Sequence, residues 1–304
     1  MARHSGTRLT PTGRVVVGGG AAVLAVALGV TAVLALRDNG PLAPDSCSAT
    51  VKGTTVELSP EQMSNAATIA GIAQRRGLPA RAATIGIATA MQESKLVNVS
   101  YGDRDSLGLF QQRPSQGWGT ARQVQNPVYA TNAFYDVLVK VQGYRSLPIT
   151  KAAQKVQRSA FPEAYAQHEP EARVLASALS GYTSAALTCS LREAPPAGSR
   201  GLSRLRSALK NEQATVTPSP TAAGSGLRLT PKPRGSVDSA TLAWSLAQWS
   251  VGQADRLGVA RVYAEGRMWR RAAPDDGWRE VHGEGVPASG SHEVVVMLTD
   301  TSPA

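Results

Sequence analysis

The chain has 304 residues, 42% of them hydrophobic, and carries 32 Lys and Arg against 22 Asp and Glu, a formal net charge of +10. That length suits about two domains rather than one, with enough apolar material for a proper core. The basic residues are spread over the whole chain without a basic helix bearing aromatics, which argues against nucleic acid as a partner, and the four histidines His4, His168, His282 and His292 stand at no metal-ligand spacing, so no metal and no cofactor is expected.

In chain order, residues 1–14 hold Arg3, Arg8 and Arg14, and residues 15–36 contain no charge and consist almost wholly of Val, Ala, Leu and Gly. About 20 such residues cross a bilayer, so the expectation is a single-pass transmembrane helix at 15–36, with 1–14 cytoplasmic, a linker at 37–46 and the bulk of the chain extracytoplasmic at the cell membrane. A cleaved signal peptide is the competing reading, against which stand the length of the apolar stretch and the lack of a small-residue cleavage site. One span with no intramembrane polar site leaves no basis for a transporter.

Cys47 to Leu58 alternates as a short strand or extended lead-in. Ser59-Pro60-Glu61-Gln62 is a capping box with Pro at the first helical position, and Met63, Ala66, Ile69, Ala70 and Ala73 follow at helical spacing up to Gly77. From Pro79, the residues Ala82, Ala83, Ile85, Ile87, Ala88, Ala90 and Met91 cover nearly every face of a second helix, which must therefore be buried on most sides and ends at Glu93. A carboxylate there meets the negative end of the helix dipole, and partial burial raises its pKa further, which is what a general acid needs; a solvated Glu in a fraying last turn is the plain alternative. Residues 98–112 are rich in Gly, Asp, Ser and Asn and read as a loop or small hairpin. Thr120-Ala-Arg-Gln123 caps a short helix, Pro127 to Val141 is a longer one, and two or three more lie between Lys151 and Ser180.

Gln92-Glu93-Ser94, then Gly108-Leu109-Phe110-Gln111, then Asn126-Pro127 and Asn132-Ala133-Phe134-Tyr135 follow one another in an order and spacing that resembles lytic transglycosylases and goose-type lysozymes, and more closely membrane-anchored, lysozyme-like proteins of actinobacterial type. The resemblance covers about residues 47–190. It implies a mostly α, lysozyme-like domain in which Glu93 is the catalytic acid and base and Ser94, Gly108, Leu109, Phe110 and Gln111 bind substrate. An A-Y-N-A-G motif usual in that family is absent as such, Ser180-Gly181-Tyr182-Thr183 being a loose counterpart that nominates Tyr182.

Tyr101, Trp118 and Tyr165 are candidates to stack on sugar rings, and Gln92, Gln111, Gln112 and Asn132 to bond acetamido groups; taken singly, each reads more readily as structural, with Trp118 open to either role. Asp103 and Asp105 are candidates for a second carboxylate, which a hydrolase would use to position water, although ordinary turn chemistry explains them too. Cys47 and Cys189 bracket the region of resemblance and, in an oxidising compartment, form a bridge; two free buried thiols are the alternative. Residues 191–235 read as a Pro, Gly, Ser and Thr-rich linker with a short basic helix from Leu202 to Lys210. Residues 236–304 read as a small α+β domain of its own, with a helix from Thr241 to Leu257 and strands near 259–263, 266–270 and 293–298. The functional expectation is a membrane-anchored enzyme that cleaves peptidoglycan glycan strands, in the company of cell-wall synthesis or division proteins. A wall-binding scaffold without turnover is the rival.

Overall fold

Lys52 and Gly53 take the left-handed backbone conformation, φ 50° and 80°, and close a two-residue turn between β1 (Ser46–Val51) and β2 (Thr54–Leu58). The computed structural model describes residue 1 and residues 44–299 apart from 160, 195, 199, 214–215, 223, 234–236, 272–276, 284–285 and 288–289. β3 (Leu187–Ser190) pairs antiparallel with the other edge of β1 and sets Cys189 directly opposite Cys47, and the two are disulfide-bonded. The bridge closes a separation of 142 residues, which in the chain-entropy account is worth on the order of 4 to 5 kcal/mol.

Between β2 and β3 lies a set of helices. The Ser59 hydroxyl accepts from the Gln62 N–H while the Gln62 side chain accepts from the Ser59 N–H, and this capping box starts α1 (Pro60–Arg75). α2 (Ala80–Ser94) is buried without a break from Ala82 to Met91. α3 (Ala121–Val124) opens on a second capping box, Thr120 with Gln123. α4 (Pro127–Leu138) is capped by the Asn126 side chain, which accepts from the Val128 and Tyr129 N–H groups. α5 (Ile149–Gln157) and α6 (Glu169–Leu179) complete the layer, α6 lying along α2.

Past β3 come α7 (Gly201–Glu212), β4 (Val216–Pro220), β5 (Gly226–Pro231), α8 (Ser239–Gly252), α9 (Ala254–Leu257), β6 (Val259–Ala264), β7 (Arg267–Arg270), β8 (Trp278–Glu280) and β9 (Val294–Leu298). The strands form an antiparallel six-stranded sheet in the order β4-β5-β9-β6-β7-β8, with a register shift between Val259 and Arg261. Leu227, Leu229, Val262, Val296 and Trp269 point to one face and are buried. Asp238 caps α8 through the Thr241 N–H, and every residue from Leu242 to Gly252 is buried. A helix buried on all sides needs cover on all sides. α8 obtains it from α1 and α6 on one flank and from β5, β6 and β9 on the other.

This arrangement corrects the expected fold class, a mostly α domain and a separate small α+β domain behind a transmembrane helix. The described residues are about 43% helical and 20% strand, in two antiparallel sheets. Residues 45–304 form one compact unit whose apolar core runs from Cys47 through α8 to Leu298. The helix assigned from sequence to its own small domain is the wall shared by the helical layer and the six-stranded sheet. The expected span at 15–36, with the segment 1–14, lies outside the described residues. Among the described residues no helix is long and apolar enough to cross a membrane. The longest, α1, has 16 residues, about 24 Å at 1.5 Å per residue, against a hydrocarbon core of about 30 Å.

Gln248 ties the layers together with four backbone bonds: its Nε2 donates to the Ala178 and Thr183 carbonyls (2.7 and 3.0 Å), and its Oε1 accepts from the Ala186 and Leu187 N–H groups (2.8 and 2.9 Å). Gln248→Leu conserves volume but strands these buried groups, each at about 1 to 3 kcal/mol. The expected outcome in a urea titration is a loss of several kcal/mol, with the helical layer and the sheet unfolding together in one transition.

Candidate active site around Glu93

α2 ends in a turn made by two consecutive residues with positive φ, Lys95 (55°) and Leu96 (62°). Neither is glycine, so each is strained by roughly 1 kcal/mol or more. The turn is held from both sides. Lys95 N–H bonds the Met91 carbonyl and Leu96 N–H bonds Ala90, while the Gln62 and Asn65 side chains of α1 donate to the Lys95 and Leu96 carbonyls, each at 2.8 Å. Leu96 is buried completely. Glu93 therefore sits on a last turn locked to α1 rather than on a frayed end.

The Ser94 hydroxyl donates to the Leu109 carbonyl at 2.8 Å, which fastens the loop 98–112 to the end of α2. Two glycines make the loop possible. A Cβ on Gly108 (φ 74°) would lie 2.4 Å from the Val124 carbonyl oxygen, and one on Gly102 would lie 2.6 Å from the Ser106 carbonyl oxygen. The loop closes through the Leu107–Gln112 bridge and through Gln111 Nε2, which donates to the Tyr101 and Gly108 carbonyls.

Glu93 is partly exposed; its carboxylate accepts a 2.7 Å hydrogen bond from the Tyr165 hydroxyl, and the Gln157 side chain at the end of α5 stands near enough to favour the ionised form. Gln157 Nε2 also donates to the Phe110 carbonyl at 2.9 Å, so one amide joins the acid to the loop. Burial outweighs both of these neighbours and pushes the Glu93 pKa above its ordinary 4.5. Tyr165 is fully buried, and desolvation first, then the charge of Glu93, keeps its phenol protonated and a donor. Beside it, Gln92 Oε1 is met at 3.1 Å by both Gln167 Nε2 and His168 Nε2. Desolvation lowers the pKa of His168. A protonated Glu93 can give its proton to an ether oxygen, and the carboxylate left behind is stabilised by two donors.

The other residues nominated from sequence divide sharply. Ser94, Gly108 and Gln111 act in the loop that meets Glu93. Leu109 and Phe110 turn their side chains into the core, Phe110 stacking on Phe134 with ring centroids 4.7 Å apart, so they offer only backbone to a ligand. Tyr101 and Tyr182 are exposed, and Trp118 is half-buried between Gly117 and Gly119. Asn132 is engaged elsewhere, donating to the Val128 carbonyl and accepting from Arg75 and Arg76 at 3.2 Å each. Asp103 is exposed, beside Arg104. Asp105 accepts from Arg113 Nε (2.8 Å), the Ser115 N–H (2.7 Å) and the Ser115 hydroxyl (2.9 Å), and the guanidinium above all holds its carboxyl far below the usual carboxylate range. A carboxylate so stabilised is a poor base.

Gln157, and the donor role of Tyr165, are absent from the sequence reading, which has Tyr165 as a stacking platform. Both lie more than 60 positions from Glu93, in a segment whose pattern marks only helix and turn. Among the described residues no cluster of three or more His, Cys, Asp or Glu is placed to hold a metal ion. No protein-family model matches this chain, and no curated protein matches it.

The pKa shift has a stability consequence. A carboxyl whose folded pKa is raised favours the fold fully below its unfolded value, and that contribution is lost as pH rises through the folded value. Glu93→Gln, permanently neutral, is therefore expected to raise Tm at pH 7 and to change it little near pH 4, measured by calorimetry across that range. Tyr165→Phe removes a bond to the ionised form and is expected to move the Glu93 carboxyl titration, followed by carbon NMR, further upward.

Proposed function

We propose that the chain cleaves the glycan strands of peptidoglycan with Glu93 as its single catalytic carboxyl, as the resemblance to lytic transglycosylases implies. The observation that carries this reading is the half-buried Glu93, its pKa raised by desolvation, locked at the end of α2 and joined through Ser94 and Gln157 to the loop 98–112. Glu93 protonates the oxygen linking N-acetylmuramic acid to N-acetylglucosamine. The resulting carboxylate then takes the proton of the muramoyl C6 hydroxyl, whose oxygen closes an anhydro ring on C1 without water. Tyr165 and Gln157 stabilise that carboxylate between the two steps.

Ring closure is favoured over hydrolysis because Asp105 is spent on Arg113 and Ser115 and is too weak a base to activate water. The disulfide between Cys47 and Cys189 suits an oxidising, extracytoplasmic compartment, where the wall lies. The excess of basic residues favours an anionic wall over a neutral one.

The test is incubation of residues 38–304 with purified peptidoglycan and mass spectrometry of the released muropeptides. Anhydromuramoyl products are expected, reduced about 10²- to 10⁴-fold in rate by Glu93→Gln. Hydrated reducing ends would replace ring closure by hydrolysis, and binding without product would make the domain a wall-binding scaffold.

A further inference from the structure

A cavity of about 790 Å³ opens where the segment before α7 meets α9, and it shares no residue with the Glu93 site. Its walls carry Arg200, Arg204 and Arg256 together with Asp255, and Gly198 and Gly258, with φ 65° and 69°, bring bare backbone to its surface.

The guanidinium of Arg256 is fixed from behind. Its NH2 group bonds Glu212 Oε1 at 2.7 Å and its Nε bonds Gln253 Oε1 at 2.8 Å. Glu212 is 2% exposed, and its second oxygen accepts from Thr68 Oγ1 (2.9 Å) and Gln253 Nε2 (3.1 Å). Burying a carboxylate is costly, and the network that satisfies this one also holds Arg256 in place at the cavity wall. Arg204 is fixed as well, donating to the Ala197 carbonyl at 3.1 Å. Asp255 does not cancel this charge, because the buried Arg271 donates to it at 3.0 Å. Four arginines, Arg200, Arg204, Arg256 and Arg271, thus face two carboxylates, Glu212 and Asp255, and leave an excess of two positive charges. α7 begins at the cavity wall and adds the positive end of its dipole.

We propose that this cavity binds a phosphate group, carried by a small ester or by a repeating phosphodiester polymer. Planar guanidinium groups lining one cavity from α7 and α9 offer donors to several oxygens of one tetrahedral anion, where a carboxylate would satisfy only one of them in bidentate fashion. The volume exceeds that of a lone phosphate and leaves room for an organic portion against Pro196 and the glycine backbone.

The experiment is calorimetric titration of the full chain with glycerol 3-phosphate, with glycerol as the uncharged control and poly(glycerol phosphate) in a parallel arm. Saturable one-to-one binding of the monomer is expected, absent for glycerol and weakened about tenfold or more in the double variant Arg200→Ala, Arg204→Ala, whose exposed side chains leave the core untouched. Arg256→Lys keeps a charge against Glu212 but loses the fork, and weakened binding is expected there too. Tighter binding of the polymer, lost in the same double variant, would assign the phosphate to a polymer; equal binding per phosphate would assign it to a small ester. No saturable binding of the monomer, or binding unchanged in the double variant, would overturn the proposal. Glu93→Gln should bind as the parent does, which separates this result from any failure at the glycan site.

Discussion

The fold depends on burying α8 from every direction. Its Leu, Ala, Trp and Val side chains leave no solvated face, so neither the helical layer nor the six-stranded sheet can complete its core without it. Its polar side chains make the arrangement specific. The Ser245 hydroxyl lies 2.7 Å from both the Leu179 carbonyl oxygen and Gln74 Oε1, Gln248 is shared between the end of α6 and the start of β3, and Gly181 comes so close that a Cβ there would lie 1.9 Å from the Thr241 carbonyl oxygen. A slide or rotation of α8 would unpair these buried groups together. The disulfide acts at the same seam, closing the three-stranded sheet whose third strand leads directly into the second layer.

That rigidity bears on Glu93. An acid that must hold a proton near neutral pH needs apolar surroundings, yet the carboxylate it becomes needs donors. On the proposed function the site meets both demands, with Glu93 on a buried helix and two neutral polar side chains beside it, Tyr165 and Gln157, which temper the effect of burial without reversing it. A cationic partner would have reversed it, and Asp105 shows the result: with Arg113 at 2.8 Å, its carboxyl stays ionised through any physiological range. On the proposed function, two carboxylates twelve positions apart thus have opposite tasks, one chemical and one architectural.

Much of the local structure was legible beforehand. The capping boxes at Ser59 and Thr120, Pro60 at the first turn of α1 and the unbroken apolar run of α2 ending at Glu93 each follow from contacts within a few residues, and there composition and spacing suffice. Leu109 and Phe110 were harder. They fall in a motif-like run beside Glu93, but their burial is decided by Phe134 and the α4 face, more than 20 positions away. The split into two domains misled for a related reason. Pro, Gly and Ser between residues 191 and 235 look like a linker, whereas periodicity says that a helix apolar all round is covered without saying by what.

The sequence by itself determined where α1 and α3 begin, that the α2 carboxyl would sit against apolar residues, and that two cysteines stood available to bridge. Only the tertiary structure decided that Tyr165 and Gln157 reach Glu93, that Asp105 is occupied, that α8 belongs to both layers, and that Glu212 stands behind Arg256. Caps, turns and helical faces are set by backbone geometry over three or four residues. Proton affinities and burial depend on whichever groups the whole chain brings within hydrogen-bonding reach, and separation along the sequence carries no record of that distance.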